Sequence, residues 1–232
     1  MLGLRLRSLV LILTAAPWVS ACGDYKAIVQ EEAAKRRGDD LVAEGSKLYQ
    51  AGNYSEAIDT LEQALALGLK YKQADVVETM IGNCFLQLDE FEKAVEHHQE
   101  ALKINPNNHE AMVNLGATYR QMDRLDDAER MYTQAAALAP DYPELHASLG
   151  ALYLFRGKPE LAEVSLRRAI ELSPSLAVAH ANLSLVLANL GRFDEADTEL
   201  HRAVELGYQN AALVRPQLDA LRDAASDSMP PG

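Results

Sequence analysis

The sequence predicts an all-α protein, a solenoid of about five helix-pair repeats closed by a C-terminal capping helix. Three observations carry that prediction. Gly82, Gly116 and Gly150 recur 34 residues apart, with Ser184 at the next step, and Ala94, Ala128, Ala162 and Ala196 keep the same interval. A fixed period of this length is the mark of stacked repeats. Inside a period the apolar residues fall at helical spacing, as in Met112, Leu115, Gly116 and Tyr119, so one face of that helix is buried. Pro106, Pro140 and Pro174 close three successive periods, where a proline cannot continue a helix and so marks a turn.

Taken in chain order, Asp24–Arg37 reads as a polar helix leading into the stack, within a segment 22–37. The repeats follow at 38–71, 75–108, 109–142, 143–176 and 177–210, with Lys72-Gln73-Ala74 inserted after the first. Glycine at the eighth position of a unit, and alanine at the twentieth, let its two helices approach where larger side chains would intrude. A core slot is filled by Leu61, His98, Tyr132, Leu166 and Leu200 in turn. The fifth unit departs twice: Ser184 replaces the glycine but is also small, and Tyr208 replaces the proline, with Gly207 beside it as a helix stop. No unit buries its apolar face alone, so the stack needs end caps. Residues 211–222 supply one, with Leu213, Val214, Leu218 and Leu221 turned inward and Gln217, Asp219 and Arg222 outward. Residues 223–232, DAASDSMPPG, read as a disordered polar tail.

The stretch NLGATYRQMDRLDDAERMYTQAAALAP, Asn114 to Pro140, resembles the tetratricopeptide repeat (TPR). The resemblance implies a right-handed TPR superhelix whose first helices line a concave groove, through positions 2, 5, 9, 12 and 13 of each unit. Carried over by position, the groove includes Tyr49, Asn83, Gln87, Arg120, Gln121, Leu154, Phe155 and Asn189, with Asn114 and Asn182 beside it. Thr79, Val113, Leu185 and Glu110 fall at lining positions too. Family members that clamp a C-terminal carboxylate use lysines on successive first helices. Position five here is Val42, Thr79, Val113, Ala147 and Ala181, and Arg120 is the one positive donor, so that clamp is missing. Amide side chains suit the backbone of a peptide, and Leu154 and Phe155 suit apolar anchors. The expected partner is a protein or peptide.

The start of the chain supplies an address. Arg5 and Arg7 form a basic region, Leu9 to Ala16 an apolar run too short to span a bilayer, and Val19-Ser20-Ala21 a set of small residues before Cys22. This resembles the lipobox of bacterial lipoproteins. It implies a signal peptide at 1–21, cleavage before Cys22, and covalent lipid on the Cys22 thiol as the membrane anchor. Two or more acyl chains make such attachment stable, at ~0.8 kcal/mol per buried CH₂. Gly23 favours the periplasmic face of the outer membrane under the enterobacterial sorting rule, with the inner membrane left open. Repeats and lipobox together resemble the pilotins of type IV pili, outer-membrane TPR lipoproteins that help a secretin assemble. Tight-adherence pilus lipoproteins and scaffolds for cell-wall hydrolases share the plan.

Composition and motifs narrow the chemistry. The formal charge of −12 turns more negative once Arg5 and Arg7 are removed, and a surface of that sign repels nucleic acid. With Cys22 lipidated, Cys84 has no disulfide partner and is expected to be a buried structural thiol. His97 and His98 are adjacent and point about 100° apart on a helix, while His146 and His180 sit one period apart at a packing position. Zinc needs three or four converging ligands, so the expectation is no metal and no cofactor beyond the lipid. No nucleophile elbow, P-loop or dinucleotide loop is present, and an enzyme domain has no room outside the repeats. The protein is expected not to be an enzyme.

Overall fold

The computed structural model describes residues 16–70 and 73–227. Most of the signal segment, Lys72 of the insertion, and residues 228–232 of the tail therefore lie outside the described residues. Within them the chain is all helix: α1 (Ala16–Gln50), α2 (Tyr54–Leu67), α3 (Ala74–Gln87), α4 (Phe91–Ile104), α5 (His109–Gln121), α6 (Leu125–Leu138), α7 (Pro143–Phe155), α8 (Pro159–Leu172), α9 (Ala177–Asn189), α10 (Phe193–Glu205) and α11 (Ala211–Asp227).

The packing pattern makes this an α-solenoid and shows which side is concave. Each odd-numbered helix packs on the even one after it. The odd helices also touch one another in series, α1 on α3, α3 on α5, and onward to α9 on α11. Among the described residues the even helices make no such contacts with each other. A stack in which one row of helices touches and the other splays must curve toward the touching row. The first helices of the repeats therefore form the inner face.

Close approach within each pair depends on the eighth-position residue. A Cβ placed on Gly116 would stand 2.5 Å from the Tyr132 ring, one on Gly150 2.4 Å from Leu166, and one on Gly45 2.7 Å from Leu61. Tyr132, Leu61, Leu166 and His98 are all completely buried. The turn inside each pair carries a second shared demand. Its apex takes left-handed backbone at Gly52, Asp89, Asp123, Gly157 and Gly191, one in each repeat. Only Gly adopts that conformation freely, and Asp is among the few residues that tolerate it.

Two boundaries differ from the sequence reading. The N-terminal polar helix is not a separate lead-in, since α1 runs unbroken into the first repeat. Gly38 lies within it at the crossing with the end of α2, where a Cβ would collide with the Gly68 carbonyl. Glu32 and Lys70 form an ion pair across the same crossing. At the other end the capping helix does not stop at 222. Ala224 and Ala225 are strong helix formers, the Ser226 hydroxyl donates to the Asp223 carbonyl at 2.8 Å, and α11 continues to Asp227.

Candidate interaction groove

Two pockets open on the inner face, and only first helices line them. The first holds about 410 Å³ between α1 and α3, lined by Val42, Ala43, Ser46, Lys47, Gln50, Val76, Val77 and Met80. The second holds about 390 Å³ and draws on four helices: Arg120 of α5, Ala151, Leu154 and Phe155 of α7, Asn182, Leu185 and Asn189 of α9, and Gln217 and Leu221 of α11. Three-residue and four-residue steps place Ala151, Leu154 and Phe155 on one face of α7, and Asn182, Leu185 and Asn189 on one face of α9.

Of the residues read as groove-lining from sequence, Arg120, Leu154, Phe155, Asn182, Leu185 and Asn189 come together in this second pocket. Phe155 is 57% exposed, a large ring left in solvent at the end of α7. Asn189 spends one amide proton on the Leu185 carbonyl at 2.8 Å and keeps its oxygen available. Arg120 reaches inward. Its Nε is buried without a hydrogen-bond partner, and so is the Tyr132 hydroxyl. Burial pushes the Tyr132 phenol up, against the opposing influence of Arg120 and then Ser148 nearby.

The other lining candidates do not join that pocket. Tyr49 packs edge-on against Tyr54 with ring centroids 5.5 Å apart, and burial raises its phenol. Asn83 and Asn114 are half-buried, and Gln87 and Gln121 are exposed. One of the family's lining positions, the fifth, is buried in every repeat, at Val42, Thr79, Val113, Ala147 and Ala181. Thr79 is buried and donates its hydroxyl to the Asp75 carbonyl at 2.7 Å, and Val113 is 3% exposed. Cys22 lies on the backbone of α1.

Sequence reasoning missed Lys47, Met80, Ala151 and Gln217. Lys47 shares a face with Ala43 and Gln50, so helical spacing contained that signal. Gln217 was assigned to the outer face of the capping helix, yet it lies one turn before Leu221 and lines the pocket with it. The even–odd packing explains the correction: α11 is a sixth first helix and presents a face to the groove.

The histidines have structural partners. His98 fills the core slot. His97 meets Glu78 at 2.8 Å and stacks on Phe85. His180 is buried, with Nδ1 2.6 Å from Glu199 and Nε2 3.1 Å from the Pro174 carbonyl. His146 meets the Pro140 carbonyl at 2.7 Å. Cys84 is buried, which pushes its thiol up to about 11 and keeps it protonated. Among the described residues no three His, Cys, Asp or Glu side chains are grouped to hold a metal. No described helix is long and apolar enough to cross a membrane. A third hollow, at the α5–α6 turn, is walled by Asp123, Arg124, Asp126, Asp127 and Arg156. Arg156 pairs there with Asp126 and Glu129, each at 2.7 Å, so these charges satisfy one another.

The same architecture recurs among known proteins. Family models described as tetratricopeptide repeat match residues 73–141, 107–175 and 177–202, together more than half the chain. Comparison with curated proteins gives no match. Among solved structures, TTC0263, a thermophilic TPR protein of Thermus thermophilus, is 22% identical with a TM-score of 0.68, over 79% of this chain and 98% of that one. The pilF protein of Pseudomonas aeruginosa is 20% identical with a TM-score of 0.61, over 84% and 90%. MamA from Desulfovibrio magneticus RS-1 is 19% identical with a TM-score of 0.53, over 73% and 94%. At these identities the likeness is one of fold.

Proposed function

The chain belongs to the tetratricopeptide repeat family, whose repeats serve as protein–protein interaction scaffolds, and from that premise we propose that it is a lipid-tethered scaffold of the bacterial envelope. The observation that carries the scaffold reading is the α5–α11 pocket, where apolar side chains, amides and one arginine from four separate first helices face a single opening. Such a surface suits a segment of another protein: apolar anchors give affinity, and amides read the backbone. The anchor rests on the lipobox-like Val19-Ser20-Ala21-Cys22, with covalent lipid on Cys22 and the periplasmic face of the outer membrane as the address. No catalytic role and no cofactor is proposed.

In its most specific form this is an assembly factor for a larger complex such as a type IV pilus secretin, on the resemblance of lipobox plus repeats to pilotins. A tight-adherence pilus lipoprotein or a scaffold for cell-wall hydrolases is the second reading, since all three share the plan and a shared fold does not name a partner.

The test is crosslinking in intact cells followed by affinity capture from detergent-solubilised envelopes, comparing wild type with Cys22→Ser. The proposal expects the variant to move to the soluble periplasmic fraction with unchanged helical circular dichroism. It expects the wild type to enrich a secretin or another outer-membrane β-barrel. Enrichment of hydrolases would transfer the scaffold to the second reading. Retention of Cys22→Ser in the membrane would sink the lipid anchor.

A further inference from the structure

The groove's charges narrow the segment it takes. The chain carries 34 acidic residues against 22 lysines and arginines, yet no carboxylate lines either inner-face pocket. Each lining holds one cation instead, Lys47 in the α1–α3 pocket and Arg120 in the α5–α11 pocket. Among the described residues neither has a carboxylate partner. Arginines elsewhere pair readily with the surplus of acid: Arg168 with Asp141 and Glu171, Arg192 with Glu163 and Glu195, Arg222 with Asp197. Among the described residues Arg36 and Arg120 are the arginines without such a partner, and of the two Arg120 lines a pocket.

Resting on the groove reading above, we infer that the groove takes a partner segment whose acidic side chains stand next to large apolar ones. One carboxylate meets Arg120, whose planar guanidinium suits a two-point contact with it. The neighbouring apolar side chain lies on Leu154, Phe155, Leu185 and Leu221. A second carboxylate meets Lys47, a point charge on a flexible stem, with its apolar neighbour over Val76 and Met80. Two cations in two pockets call for two carboxylates, and a chain terminus supplies only one. At least one of the acids is therefore a side chain within the segment. Asn182 and Gln217 remain to bond its backbone.

The experiment selects random twelve-residue peptides, displayed with their C-termini blocked by fusion, on the full-length protein in detergent. A selected peptide is then synthesised as its C-terminal amide with a fluorescent label, and its affinity measured by anisotropy. Expected are sequences enriched in Asp or Glu beside Leu, Phe or Trp. Changing the acid of the peptide to its amide, which cannot disturb the protein's fold, should weaken binding about tenfold or more. Arg120→Gln should weaken the acidic peptide and leave the amide peptide unchanged, and Arg120→Lys should recover part of the loss. Equal affinity of the acidic and amide peptides overturns this inference while leaving the groove intact, provided Phe155→Glu still abolishes binding. Undiminished binding to Phe155→Glu overturns the groove reading itself and this inference with it.

Discussion

Gly82 lies against the imidazole of His98 so closely that a Cβ on the glycine would stand 2.6 Å from both Cε1 and Nδ1 of the ring. The same relation joins Gly45 to Leu61, Gly116 to Tyr132 and Gly150 to Leu166. Three different side-chain chemistries fill one slot, so the requirement is volume and shape, and the glycine is what leaves room for it.

That relation predicts the outcome of Gly116→Ala. The ring of Tyr132 is fully buried and has no solvent to swing into, so the added methyl must push two helices apart or force the ring off its rotamer. Overpacking of this kind costs about 1–3 kcal/mol. The check is the urea unfolding midpoint. No change in the midpoint would mean that the α5–α6 pair yields freely and that the glycine is not a packing requirement.

His98 is the one imidazole in that series, and it predicts a pH dependence. Burial, aided by the neighbouring His97, pushes its imidazole down to about 3 from the ordinary 6.5, and neither ring nitrogen has a hydrogen-bond partner. Below pH 6.5 the unfolded chain binds a proton that the folded chain refuses. The stability is therefore fully present above that pH and falls by roughly 1.4 kcal/mol per unit as the pH drops toward the folded value. His98→Leu puts at this position the residue that Leu61, Leu166 and Leu200 already provide. It should stabilise the protein by about 1 kcal/mol at pH 7 and remove one proton's share of the slope between about pH 6 and 4. Parallel slopes in denaturation series of the two proteins would mean that His98 is protonated in the fold.

How much of this was legible follows from which signals are periodic. The 34-residue repeat fixes neighbours within a pair, so the slot holding His98 and Tyr132, and the glycines facing it, could be read from spacing alone. Arg120, Leu154, Phe155 and Asn189 were readable for the same reason, because each sits at a lining position that the resemblance implies, and Asn182 sits beside one. Position five is buried in all five repeats, at Val42, Thr79, Val113, Ala147 and Ala181, so its closure is itself periodic; it arises from stacking between units, which no single unit encodes. The ends were least legible. Beyond the last repeat the period offers no register, and the face that Gln217 presents was settled only by the docking of α11 on α9.

Docking of α11 leads to a prediction about the cap. Leu218 is fully buried in the cluster with Leu183, Leu187, Leu200 and Val214, whereas Leu213 on the same helix is 67% exposed. Leu218→Ala should cost about 2–5 kcal/mol, and Leu213→Ala should stay within about 0.5 kcal/mol. Thermal unfolding of the pair separates them. Equal and small effects would mean that α11 lies loosely on the stack and cannot wall the α5–α11 pocket.

Phe155 offers the sharpest separation of binding from folding. Its ring belongs to the pocket wall, and more than half of its surface is in water. A glutamate at this position buries no charge and opens no cavity, so the stability change should stay within about 0.5 kcal/mol, with helical circular dichroism unaltered. Binding should respond very differently. The substitution removes an aromatic anchor of the kind that dominates peptide interfaces and sets a carboxylate in the pocket that holds Arg120. A ligand anchored on the ring loses its contact area, and an acidic ligand meets the competing charge as well. Calorimetry of unfolding and anisotropy with a bound peptide, run on the same preparation, test both halves. A large drop in melting temperature would make Phe155 part of the core. Retained affinity with unchanged stability would move the binding surface away from this end of the groove.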